Sequence, residues 1–94
     1  LGVLVSDVDP DVAAAYGLPV GTLVREVIAG SCAQVGGIRV SDIIVNVGGY
    51  EVKNLNDLSR ALRKFDAGDE ITVTVHRSGE LVQLSLVLDE KPQS

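Results

Sequence analysis

Apolar and polar positions fall along this chain in short runs whose period switches between the strand and helix values, so the elements they predict are short and mixed. Leu1 to Val5 is an apolar run that reads as a strand ending near Asp7. Asp9 and Pro10 suit the N-cap and first position of a helix through Tyr16, and Gly17 suits the residue just past its end. Thr22 to Ile28 reads as a strand, broken by Gly30 and Ser31. Ser31 suits the cap of a one-to-two-turn helix through Val35, closed by Gly36-Gly37. Ile43 to Val47 reads as a buried strand, Gly48-Gly49 as a tight turn, and Tyr50 to Lys53 as a short return strand.

The second half is more regular. Leu55, Leu58, Ala61, Leu62 and Phe65 keep the helical period, and Asn54 stands where a cap is needed, which predicts the longest helix over 55–65. Asp57 in its first turn and Arg60, Arg63 and Lys64 in its second half suit the helix dipole. Ile71, Val73 and Val75 then alternate with polar residues, Ser78-Gly79 supplies a hairpin turn, and Val82, Leu84, Leu86 and Leu88 alternate on the return. Short strands in hairpins with two or three helices predict an α+β fold around a mostly antiparallel sheet.

Composition works mainly by exclusion. The 94 residues make one domain, expected over 1–90 with a loose polar tail at 91–94. A hydrophobic share of 46% is too high for disorder. The net charge of −5 leaves no cationic footprint, so no nucleic-acid partner is expected. No apolar run is long enough to insert in a membrane. One Cys and one His can form neither an internal disulfide nor a Cys/His zinc site, and no metal or cofactor is expected. A chain that opens on Leu1-Gly2 and has no Met reads as a processed or excised piece.

Catalysis finds no support. Gly30-Ser31-Cys32 invites a nucleophile reading, but a nucleophile needs a base and an orienting group, and the only His, His76, falls on a predicted strand. Ser31 reads as a helix cap and Cys32 as a small apolar residue. Asp7, Asp9 and Asp11 alternate, but Pro10 between them and the missing glycine and distal Glu argue against a calcium loop. No catalytic residue is expected.

Four landmarks in order resemble a PDZ domain: Leu1-Gly2-Val3, Gly30-Ser31-Cys32-Ala33, the segment from Ser41-Asp42 to Gly48-Gly49, and the 55–65 helix followed by Gly68-Asp69 and two long strands. The segment Asp9 to Pro19, placed after the first strand, resembles an insertion in the PDZ domains of bacterial HtrA-type serine proteases. Site-2 metalloproteases and Lon-like membrane proteases carry similar domains. Ser41, Gly48 and Cys32 depart from the usual Gly, Asn and Pro. The resemblance implies a partly open barrel of five or six mostly antiparallel strands, capped by helices, with a carboxylate-binding loop and its strand at the N-terminus. It also implies a bacterial envelope location and a parent protease domain as partner.

The implied activity is capture of peptide or protein C-termini with an apolar last residue, or of extended segments, by β-strand addition. Gly2, Val3 and Leu4 are expected to aim their N–H groups at the carboxylate, and the strand Val3 to Asp7, with Val5 among the contacts, to receive the peptide along its free edge. Leu55, Ser59 and Leu62 form the opposite wall, and Leu1, Val3 and Leu62 a pocket for the last side chain. With a net charge of −5, that carboxylate must be held by local N–H groups against the overall field. The alternative is an assembly module that packs on its protease or on neighbouring subunits.

Overall fold

The anticipated caps and turns form in the computed structural model, which describes residues 2–66 and 68–88. Leu1 and the expected tail at 91–94 lie outside the described residues. The strands are β1 (Val3–Asp7), β2 (Thr22–Val27), β3 (Ile43–Val47), β4 (Tyr50–Glu51), β5 (Glu70–Arg77) and β6 (Glu80–Val87). The helices are α1 (Pro10–Tyr16), α2 (Cys32–Gly36) and α3 (Leu55–Leu62). Asp9 caps α1 by accepting the Asp11 N–H, and Gly17 closes it in the left-handed region.

The strands pair antiparallel in one open sheet of order β1-β2-β3-β5-β6, with β4 beside β3. This is the α+β, partly open arrangement expected. Its core gathers Val24, Ile44, Val47, Val73, Val75 and Leu86, all almost wholly buried, with Leu58 and Ala61 of α3 packed over them. A smaller cluster of Val8, Ala13 and Ile43 seats α1.

Two elements are shorter than their sequence pattern. After Leu62 the chain switches to bonds three residues apart, Lys64 to Ala61 and Phe65 to Leu62, so the helix tightens and ends. This turns Phe65 over Gly48 and into an edge-to-face contact with Tyr50 at 6.1 Å. The return strand is only Tyr50–Glu51, although the wholly buried Val52 still donates its N–H to the Val45 carbonyl at 3.0 Å in the same register.

An ion pair closes the end of the sheet where β3 begins and β5 ends. The Asp42 side chain is only 2% exposed and accepts from both Arg77 Nε and Nη2, and from the Arg39 N–H at 2.9 Å. Arg77 Nη2 also donates to the Gly37 carbonyl at 2.8 Å. The hydrogen bond to Asp42, foremost, holds the Arg77 guanidinium above its already high ordinary pKa, against the opposing effect of burial.

Candidate functional site

Among the described residues β1 stands at one end of the sheet with a single strand neighbour, so one side of its backbone has no ladder partner there. The hydrogen bonds decide which residues face that side. Ile28 N–H donates to the Gly2 carbonyl at 2.8 Å and Val8 N–H to the Gly21 carbonyl at 3.1 Å. These bonds flank the pairs Val3–Val27 and Asp7–Thr22 and make them the non-hydrogen-bonded kind. Val24, opposite Val5, commits its N–H to Asp42 and its carbonyl to Ser41. The backbone groups of Val3, Val5 and Asp7 therefore point away from β2, to the open edge.

Gly2 sets the start of this edge. Its φ of 79° lies in the left-handed region, and a Cβ there would run into the Cβ of Ser31 and lie 2.6 Å from its Oγ. Its carbonyl is turned inward, held by Ile28 N–H and by the Ser31 hydroxyl at 3.4 Å. Because a trans peptide sets C=O and N–H in opposite directions, the Val3 N–H points outward. Ser31 also accepts the Gln34 N–H at 3.3 Å, so one hydroxyl caps α2 and braces the loop.

The side chains of Val3 and Val5 are half-buried and lean on the core together with Leu62. α3 lies against β1 as the other wall. Leu55 at its start is 38% exposed and Ser59 one turn later is exposed, while Leu58 and Ala61 on the neighbouring face are buried. The helix start is shaped by Asn54, which accepts the Asp57 N–H at 2.9 Å, and by Asp57, which accepts the Lys53 N–H at 3.1 Å. Asp7 crosses from β1 to accept the Leu55 N–H at 2.7 Å. The result is an apolar furrow with outward main-chain donors and acceptors along one wall.

Of the expected site residues, Val3, Val5 and Leu62 lean on one core cluster, Gly2 leads into β1, Leu55 is tied to β1 through Asp7, and Ser59 is exposed on α3, the helix beside β1. Leu1 lies outside the described residues. Leu4 departs from expectation: ladder alternation turns its N–H back toward β2, opposite Glu26, and its side chain, 54% exposed, lies on the other face of the strand. Asp7 was missed, since its partner is 48 residues away and no local pattern signals it. Ser31 and Cys32 cap and begin α2, and His76 sits half-exposed on β5. Among the described residues no group of three His, Cys, Asp or Glu stands together as a metal site.

Comparison with known proteins agrees with this geometry. The chain is 32% identical to a probable periplasmic serine endoprotease, DegP-like, of Chlamydia muridarum, over 98% of its own length and 19% of the relative's. It spans about a fifth of the length of the curated relatives it matches. The HtrA-type protease AlgW, solved with a decapeptide, superposes with a TM-score of 0.87 at 26% identity, over all of this chain and 30% of that one. The HtrA3 PDZ domain, solved with the phage-derived ligand FGRWV, gives 0.78 at 25% identity, over 93% of this chain and 81% of that one. The family profile described as PDZ domain matches residues 1–88, nearly the whole chain. With that profile matched over nearly its whole length, this chain belongs to the PDZ domains.

Proposed function

We propose that this domain captures the apolar C-termini, or extended segments, of other proteins by β-strand addition along β1, on behalf of a serine protease of the bacterial envelope. The observation that carries it is the outward set of Val3, Val5 and Asp7 backbone groups on an edge strand with α3 alongside. The N–H groups of Gly2 and Val3 take the terminal carboxylate as a backbone nest. Val3 and Leu62, with Leu1, receive the last side chain; burying one aliphatic group contributes about 1.5–3 kcal/mol. Val5 pairs with the peptide backbone, and Leu4 continues the strand between the two outward residues. Leu55 and Ser59 meet the residue two places before the end, and Leu55 favours an apolar one there. Support comes from relatives named periplasmic serine endoproteases and from the HtrA3 PDZ ligand, which ends in valine.

The test is titration with a five-residue peptide ending in Val, as free acid and as C-terminal amide, followed by amide chemical shifts. The acid is expected to bind with a Kd on the order of micromolar, with shifts confined to residues 2–7 and 55–62, and the amide at least about tenfold more weakly. Equal binding of both forms would sink the carboxylate reading, and shifts elsewhere would favour an assembly role.

A further inference from the structure

The Asp7 carboxylate links the two walls of the furrow directly, and nothing in the peptide-capture scheme uses it. We propose that Asp7 is a positioning residue: by holding the Leu55 N–H it fixes the first turn of α3 against the far end of β1, and so sets how wide the groove stands before a peptide arrives. This rests on the peptide-binding reading above.

Both sides of the latch point to that role. Asp7 is itself firmly placed. It pairs with Thr22, which is wholly buried, and the next residue, Val8, is buried and bonded to the Gly21 carbonyl at 3.1 Å. Leu55 N–H is one of the helix-start donors that no bond within the helix can satisfy. The bonds of Asn54 and Asp57 shape that first turn, but both close within residues 53–57 and tie it to no other element. Asp7 does, at 2.7 Å, with a negative charge at the positive end of the helix dipole.

The other end of α3 is held differently. Ala61 is buried, Leu62 leans on the core, and Phe65 covers Gly48. One end of the helix wall is therefore set by packing and the other by a polar latch. A peptide whose carboxylate sits at Gly2 runs antiparallel to β1. The span from Val3 to Asp7 is about 13 Å at the rise of an extended strand. A ligand of three or more residues reaches the latched turn, where the residue two places before its end meets Leu55; its last two residues lie beside Val3 and Leu4. A groove already at the right width avoids ordering the helix turn on binding, which is where a latch raises affinity.

The experiment compares wild type with Asp7→Ala and Asp7→Asn. It measures exchange of the Leu55 amide in the free domain, and the affinity for a five-residue free acid ending in Val and for its last two residues alone. Asp7→Ala is expected to speed Leu55 exchange at least about tenfold and to weaken the longer peptide by roughly threefold to tenfold, with the dipeptide changed by less than about twofold. Asp7→Asn keeps an acceptor oxygen and is expected to restore most of both effects. The proposal is overturned if Asp7→Ala leaves the longer peptide's affinity unchanged, if both peptides weaken equally, or if Asp7→Asn is as poor as Asp7→Ala, which would mean that the charge acts on the ligand. If wild type binds neither peptide, the peptide-binding reading falls and takes this role with it, whereas failure of the latch alone leaves wild-type binding intact.

Discussion

Gly2 illustrates how much a single residue can decide. Its left-handed φ turns its carbonyl inward to Ile28 and Ser31, and that orientation aims the following N–H at the edge. Gly2→Ala places a methyl group against the Ser31 Cβ in a backbone region that resists side chains. Thermal or urea melts are expected to show a loss of about 2 kcal/mol, and binding of a C-terminal free acid to weaken at least about tenfold. Ser31→Ala does not relieve the clash, because the obstruction is the Cβ itself. At this scale the sequence was most legible where chemistry is local: Asp9, Pro10 and Gly17 occupy the helix positions their backbone preferences dictate. Ser41, which stands where the resembled family has glycine, keeps the glycine-like conformation at a φ of 78°. The Asp7 latch was not legible, because only the fold brings residues 7 and 55 together.

Elements are joined by polar locks as well as by packing. Asp42 and Arg77 fasten the start of β3 to the end of β5, and Arg77 reaches the turn after α2 as well. Removing the cation leaves a nearly buried carboxylate with only the Arg39 N–H, so Arg77→Ala is expected to cost about 3 kcal/mol in denaturant unfolding. Arg77→Lys, which keeps the charge but loses the paired geometry, is expected to cost about 1 kcal/mol. The pH sign follows from the raised Arg77 pKa. Its contribution is present below the guanidinium's ordinary value and is lost only as pH rises through the folded one. The difference between wild type and Arg77→Ala should therefore be the same at pH 7 and pH 10. Apolar alternation revealed β5 and β6 in full, since both faces of that hairpin obey one period. It could not reveal the register shift in β1–β2 between Leu4 and Val5, where Arg25 is the extra residue, because a bulge answers to strand twist rather than to hydrophobic pattern. The extra residue lies on β2, so Val3 and Val5, two apart on an uninterrupted β1, keep the same outward sense.

Across the whole molecule, the strands differ in how well they are held. β5 lies between β3 and β6, whereas among the described residues β1 pairs with β2 alone. Hydrogen exchange should show this order: the Leu4 amide, bonded toward β2, is expected to exchange at least about tenfold faster than those of Val73 and Val75. Saturating peptide should then protect Val3 and Val5, which lack partners in the sheet, and a gain at Leu4 instead would contradict the assigned edge. The architecture was legible from element order because each strand and helix carries its own punctuation; the phase of the edge was not, since it depends on Gly21, Ser41 and Asp42 accepting or donating from elsewhere in the chain. The single neighbour of β1 also carries a consequence for regulation. Capture needs that strand seated, so the measured Kd equals the intrinsic one divided by the seated fraction of molecules. α1 follows β1 after only two residues and packs on the small cluster that includes Val8. A neighbour that steadied α1 would raise affinity through that population alone, without touching the groove.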